Sequence, residues 1–196
     1  MLSRLPDAWR NSVGLLQNEL LPRDWQAHGI ESPTVVSVWF EKKQGTDAKP
    51  LLPSPVHGPQ ARRLVDALDS IGLPARVVAD DDSLTWELVR KNLYILTTNI
   101  AGLEVGGTVG TLWMKHRSLA EAVAGDVLDV QGWLSGRAPD RAPLLAGLLE
   151  AIEADLNHGC AGRSAPARLT RALHHADAAG LAVPALREIA ARHGLS

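Results

Sequence analysis

Residues 82–103 constrain the fold most, because apolar residues recur through them with the spacing of a helix. They lie along two stripes, whereas a surface helix has one. The first stripe is Leu84, Leu88 and Ile95, and the second is Val89, Leu93, Leu96, Ile100 and Leu103. This pattern predicts a central, mostly buried helix. The polar residues Lys91, Asn92 and Asn99 inside it therefore need partners or a purpose.

The chain changes character near residue 82. Before it, strand patterns at 12–16, 33–40 and 74–79 alternate with helical patterns at 22–28 and 60–71. The proline-rich residues 44–59 predict turns and short extended pieces. After residue 82 the patterns are all helical, with further helices predicted at 116–134, 139–157, 164–179 and 183–193.

The first part is too small for a complete sheet. Two or three strands leave an exposed edge that invites pairing with another chain. The apolar strand predicted at 12–16 looks like the middle of a larger sheet. We therefore expect a small α/β piece, followed by a helical half with enough apolar faces to form a homodimer.

Composition excludes several classes of function. The formal net charge of −2 gives no overall field that would attract nucleic acid or an anionic membrane. No apolar run approaches the roughly 20 residues that span a bilayer, and residues 1–10 have no apolar segment of signal-peptide type. The single cysteine, Cys160, allows no internal disulfide, which favours a cytoplasmic location. No histidine spacing is typical of a zinc site.

Four stretches resemble the ketopantoate reductase family. They are VGLLQNELLP (13–22), TVVSVWFEKK (34–43), the long segment from GPQARR to LTTN (58–99) and GLAVPALREIAARHG (180–194). The resemblance implies that residues 1–81 are a partial Rossmann-like α/β segment. It implies that residues 82–196 are an all-α domain, like the carboxyl-terminal domain of 6-phosphogluconate dehydrogenase, which serves substrate binding and dimerisation.

The resemblance also implies a reaction and the residues that carry it. Members of the family reduce a 2-oxo acid to a 2-hydroxy acid with NADPH. By position in the motifs, Lys91 would be the general acid and Asn99 a substrate contact. Asn18 would approach the substrate and the nicotinamide ribose, because ligands bind at the carboxyl ends of strands. Ser164 stands where the family has a substrate-binding glutamate.

The sequence departs from the family in its nucleotide site and in its spacing. The resemblance implies NADP as the cofactor. The glycine turn that holds its pyrophosphate is missing, however, because no G-x-G-x-x-G follows a strand in this sequence. The glycine-rich residues 106–110 follow a helix instead. Counting from Trp86 puts Leu88 at the lysine position, whereas counting from Lys91 puts Ile95 at the first asparagine position.

Each candidate residue also has a purely structural interpretation. Lys91 would form a surface ion pair with Glu87, one turn earlier. Asn99 lies about 80° round the helix from Lys91, close enough to share a ligand, whereas Asn92 diverges by about 100° and is better explained as a buried, paired amide. Asn18 would simply make a turn.

The loop at 159–164 carries Cys160 two residues after His158. This proximity suggests a thiol nucleophile, but nothing else completes a triad, and an inert cysteine is the simpler interpretation.

Two functions follow from these observations. The first is a ketopantoate reductase-like reduction of a 2-oxo acid. The second is a non-redox ligand-binding or dimeric scaffold protein that derives from the same fold after loss of the nucleotide-binding half.

Overall fold

The computed structural model describes residues 2–10, 12–16, 18–42, 45 and 47–195. The chain divides into two compact units, Met1–Lys91 and Asn92–Ser196. The division falls within a single helix, α4 (Asp81–Val105), whereas the sequence analysis put the domain boundary at the start of that helix.

The first unit combines short strands with short helices. It begins with a 3-10 helix (Leu2–Arg4). There follow α1 (Asp7–Arg10), β1 (Gly14–Leu15), α2 (Pro22–Gln26), β2 (Thr34–Val36), β3 (Phe40–Glu41), β4 (Lys49–Pro50), β5 (Ser54–His57), α3 (Ala61–Ser70), β6 (Ala75–Val77) and the beginning of α4. The strand patterns predicted at 12–16, 33–40 and 74–79 therefore contain β1, β2 and β6.

Four of the strands form one mixed sheet in the order β1-β2-β5-β6. β1 runs parallel to β2, β2 runs antiparallel to β5, and β5 runs parallel to β6. Helix α3 makes the crossover between the two parallel strands β5 and β6. β3 and β4 form a separate antiparallel pair. The strand predicted at 12–16 thus lies at the edge of the described sheet.

β5 is a central strand in a segment where the sequence analysis expected turns and short extended pieces. The strand was not predicted because of the prolines at positions 53 and 55, since proline is unusual in the middle of a sheet. Pro55 has no N–H, but its carbonyl accepts a hydrogen bond from the Ser37 amide at 2.9 Å. The Oγ of Ser54 accepts another from the Trp39 amide at 3.0 Å. Both bonds come from the segment that follows β2, while β6 pairs with the other side of β5. Val56 contributes to the core of the unit.

The second unit is helical in its described residues. It contains the remainder of α4, followed by α5 (Val109–Lys115), α6 (Arg117–Ser135), α7 (Arg141–Ala154), α8 (Ala165–Ala179) and α9 (Pro184–Arg192). α6 packs against α5, α8 and α9, and α5 packs also against α7. The four later helices were predicted from periodicity. α5 was not, because its glycine-rich beginning looked like a break.

Helix α4 is mostly buried along both predicted stripes, with Leu103 half-buried at the end of the second. Its first turn is capped as expected, because Asp80 Oδ1 accepts a hydrogen bond from the Ser83 amide at 2.7 Å. Asn92 is fully buried and donates from Nδ2 to Oε1 of Gln131 on α6 at 2.9 Å. This bond supports the interpretation of Asn92 as a buried, paired amide.

No helix in the described part of the chain is both long and apolar enough to cross a bilayer.

Candidate functional site

Lys91 is half-buried on α4, and its ammonium group lies over an aromatic ring. The Nζ atom is 4.1 Å from the ring centroid of Trp39. Trp39 follows β2 and is only 1% exposed. A cation over an indole face is attracted to it electrostatically, by about 0.5–2 kcal/mol depending on its exposure. The contact holds the amine beside the sheet of the first unit.

A buried carboxylate lies one turn before Lys91. The Glu87 side chain is 5% exposed and pairs with Arg76 on β6. Its other oxygen, Oε2, lies 3.5 Å from Nη1 of Arg90, which is 8% exposed. We call Arg76, Glu87, Arg90 and Lys91 the cationic cluster, because three of its four groups are positive. Removing charges from water is costly unless they are paired, which explains the carboxylate between the two arginines.

Two tryptophans support the cationic cluster. The guanidinium of Arg90 lies 5.4 Å from the Trp39 ring centroid and 5.7 Å from that of Trp86. The structural interpretation of Lys91 in the sequence analysis was an ion pair with Glu87, and the two arginines and Trp39 were not anticipated. The only available signal was the helical spacing of Trp86, Glu87 and Arg90, which places an acid, a base and a ring on neighbouring positions of α4.

The described part of the first unit includes a pair of grooves that are not lined by Lys91 or Asn18. One, of about 500 Å³, opens at the carboxyl end of β6 and includes Arg76, Trp86 and Glu87 of the cluster region in its lining. The other, of about 420 Å³, is lined by Leu5, Trp9, Ser12, Val13 and Gly14. The first has the size of a small-molecule site.

Asn99 is half-buried on α4 and bonded to a residue that the sequence analysis missed. Its Oδ1 accepts a hydrogen bond from Nη1 of Arg168 on α8 at 2.7 Å. The two residues are 69 positions apart, so no local pattern links them. The loop that precedes α8 lies against the same side, with Gly162 close to Asn99 Oδ1.

Asn18 and Ser164 are both exposed. Asn18 lies in the turn that follows β1, next to Glu19, whose φ is 70°. Ser164 immediately precedes α8, and its side chain makes no capping hydrogen bond to that helix.

The close contact between α4 and the 159–164 loop depends on Gly102. A Cβ at this position would lie 2.6 Å from both the Ala161 amide nitrogen and the Cys160 Cβ. We expect Gly102→Ala to lower the free energy of unfolding by about 1–3 kcal/mol, as overpacking does elsewhere, because a backbone atom cannot rotate away. Urea denaturation would measure it.

Gly125→Ala on α6 is the matched control for that substitution. Nothing lies within 4 Å of a Cβ at position 125, so the better helix former should raise the free energy of unfolding by up to about 1 kcal/mol. A stabilising effect at both positions would contradict the close approach at Gly102.

The glycine-rich residues 106–110 do not form a pyrophosphate cradle. Thr108 caps α5 by accepting a hydrogen bond from the Thr111 amide, and α5 has only seven residues. A Cβ on Gly110 would lie 2.7 Å from the Leu156 carbonyl oxygen, so this glycine serves helix packing. The turn from β5 to α3 contains one glycine, Gly58, rather than a G-x-G-x-x-G turn. A Cβ on Gly58 would lie 2.3 Å from the Pro33 carbonyl oxygen, so this glycine serves the packing of the turn against residue 33. The described residues therefore do not fit the nucleotide part of NADP.

Cys160 has an environment that suppresses thiolate chemistry. Burial raises the pKa of its thiol to about 11, and the ring of nearby His158 lies 6.2 Å from that of Tyr94. At pH 8 we expect a chromogenic disulfide reagent to label Cys160 roughly 100-fold more slowly than a thiol with the usual pKa of about 8.5, because the thiolate is the reactive species. The same protein in denaturant is the control, and equally fast labelling of the folded protein would contradict the inert role.

No group of three or more histidine, cysteine, aspartate or glutamate residues that could hold a metal ion occurs among the residues that the structure describes.

No protein-family model matches the sequence, and no curated protein matches it. Solved structures do. A 2-dehydropantoate 2-reductase from Porphyromonas gingivalis W83 matches 94% of this chain with a TM-score of 0.61 and 15% identity, over 64% of its own length. A PanE/ApbA family ketopantoate reductase from Ralstonia eutropha JMP134 matches 92% with a TM-score of 0.65 and 16% identity, also over 64% of its length.

A D-mandelate dehydrogenase, solved with NADH and anilino(oxo)acetate, matches 91% of this chain with a TM-score of 0.65 and 13% identity, over 65% of its length. The chain thus spans less than two thirds of the structures that it matches. At these identities the likeness concerns the fold alone. This chain has the fold that ketopantoate reductases and D-mandelate dehydrogenase share over the matched part.

Proposed function

We propose that this chain takes part in the reduction of a 2-oxo acid to a 2-hydroxy acid with NADPH, as in ketopantoate reductases. The observation that carries the proposal is the likeness to reductase and dehydrogenase structures over more than nine tenths of the chain, α4 included. A likeness over isolated elements would be weaker support, because common folds host many functions.

The part of this reaction that we assign to the chain is the handling of the substrate's charge and oxygen. A 2-oxo acid is an anion, and the cationic cluster carries three positive groups and one carboxylate, which the two arginines flank. Lys91 would donate a hydrogen bond to the keto oxygen and supply the proton that the product hydroxyl requires. General acid catalysis of this kind is typically worth about 10²- to 10⁴-fold in rate.

The remaining site residues are proposed as contacts. Asn99, whose amide is held by Arg168, would bind the substrate. Asn18 and Ser164 are exposed and open to a ligand, and we propose both as substrate contacts, with Asn18 also facing the nicotinamide ribose. Because the described residues offer no pyrophosphate cradle, we assign no step of the nucleotide's chemistry to them.

The lack of such a cradle favours a second candidate function. A protein with this fold that binds no nucleotide would serve as a non-redox ligand-binding protein or a dimeric scaffold. The same cationic cluster would then bind an organic acid without reducing it.

Two measurements on the purified protein test the proposal. Calorimetry with NADPH and with ketopantoate, separately, shows which ligand is bound. The loss of absorbance of the reduced nicotinamide shows turnover. Binding of ketopantoate and turnover support the reductase, and binding of ketopantoate alone favours the non-redox alternative. No binding of either compound to the whole protein would overturn both.

A further inference from the structure

The amide group of Asn99 is held in one orientation. A guanidinium has donors only, so the group that faces Arg168 Nη1 at 2.7 Å must be the amide oxygen, Oδ1. The amide nitrogen, Nδ2, must therefore point the other way. An asparagine without such a neighbour can present either atom.

The nitrogen of this amide is available to a ligand. Nδ2 of Asn99 donates no hydrogen bond to any residue that the structure describes. The residue is half-buried, so part of its surface is open to solvent. The Nδ2 atom of Asn92, by contrast, donates a hydrogen bond to Gln131 inside the core. Of the two asparagines on this part of α4, only Asn99 keeps a donor for another molecule.

The surroundings keep this amide from turning. The 159–164 loop lies against α4 at Gly102, three residues beyond Asn99, and Ala161 of the loop has the unusual φ of 51°. A Cβ on Gly162 would be 3.6 Å from Asn99 Oδ1. The oxygen thus lies between the loop and Arg168, and both contacts oppose a rotation of the amide that would exchange its oxygen and nitrogen.

We propose that Arg168 is a positioning residue that turns Nδ2 of Asn99 towards the carboxylate of a 2-oxo acid. A donor next to a fixed positive charge prefers an anionic acceptor to a neutral one, because a hydrogen bond that involves a charged group is the stronger kind. This inference rests on the proposed function for the identity of the ligand. Beyond the proposed function, it names the carboxylate as the group of the ligand that Asn99 recognises, and it gives Arg168 a role.

The test uses the whole protein, with 2-oxoisovalerate and its primary amide as probes in calorimetry. Asn99→Asp keeps a partner for Arg168 but replaces the donor with a negative acceptor. We expect at least tenfold weaker binding of the acid, with an unchanged or higher melting temperature. Arg168→Met should weaken binding about tenfold, as expected for one misplaced hydrogen bond, and Arg168→Lys should recover part of the loss. Wild-type protein should bind the acid more tightly than the amide.

Nuclear magnetic resonance reports the positioning without a ligand. In wild-type protein the two proton signals of the Asn99 side-chain amide should be displaced from the values of a free asparagine. Arg168→Met should move them towards the values of a free asparagine, and Arg168→Lys should do so less.

The outcomes separate this inference from the proposed function. If wild-type protein binds 2-oxoisovalerate and the variants at positions 99 and 168 bind it equally well, the inference and the substrate contact of Asn99 are wrong, whereas the proposed reaction and the role of Lys91 stand. Equal binding of the acid and the amide by wild-type protein would also overturn the inference. If wild-type protein binds neither ketopantoate nor 2-oxoisovalerate, both the inference and the proposed function fail.

Discussion

Replacing Lys91 with methionine is expected to weaken the binding of ketopantoate about 10- to 100-fold. A hydrogen bond to a charged group contributes about 1.5–3 kcal/mol, and about 1.4 kcal/mol corresponds to a factor of ten in affinity. Methionine can still cover the Trp39 ring that the ammonium contacts, so the fold should survive. Calorimetry measures the affinity, and thermal unfolding reports whether the variant is folded.

Two further variants separate the charge of Lys91 from its proton. Lys91→Arg keeps a cation over Trp39, so it should bind ketopantoate within about tenfold of wild-type protein. Arginine does not release its proton in proteins, so kcat should still fall about 10²- to 10⁴-fold wherever wild-type protein turns over. Lys115→Met, at the exposed end of α5, is the matched control and should change neither value. If Lys91→Met binds ketopantoate as tightly as wild-type protein, Lys91 is not part of the binding site.

Replacing Glu87 with glutamine is expected to lower the free energy of unfolding by about 3–5 kcal/mol. Breaking a buried ion pair by removal of one partner leaves the other charge uncompensated, and costs about that much. The charge most affected here is that of Arg90, which is nearly as deeply buried as Glu87 and loses this carboxylate. Arg76 is 48% exposed and can be solvated instead. Chemical denaturation measures the change.

A double substitution tests the cause of this loss. Glu87→Gln combined with Arg90→Met should be less destabilised than Glu87→Gln alone, because the buried positive charge is gone. Asp129→Asn is the control on the surface, since Asp129 and its partner Arg141 are both about half exposed. It should cost less than about 1 kcal/mol. A similar effect at both positions would mean that burial of Glu87 does not matter.

Helical periodicity predicted most of the second unit and α4, because each helix repeats its own pattern within a short window. It did not predict α5 or β5. The glycines at the beginning of α5 and the prolines at 53 and 55 are signals of irregular structure. Tertiary contacts override those signals: Gly110 packs on Leu156, just after α7, and β5 is paired on both sides.

The candidate site was harder to predict than the fold. Lys91 and Asn99 stand out in the sequence because they interrupt an apolar helix, but their partners lie far away in the chain. Trp39 comes from the segment after β2, and Arg168 comes from α8. The i,i+4 spacing suggested that Glu87 pairs with Lys91. The fold brings Arg76 of β6 to that carboxylate, a contact that local spacing does not contain.

The position of Trp39 also means that its fluorescence should report the binding of an anion near Lys91. Its indole is shielded from water and faces the side chains of Lys91 and Arg90. A positive charge over an indole shifts the energy of its excited state, so an anion that draws the ammonium away should change the emission spectrum. The chain contains six tryptophans, and the part of the spectral change that disappears in Trp39→Phe would report events at this single ring.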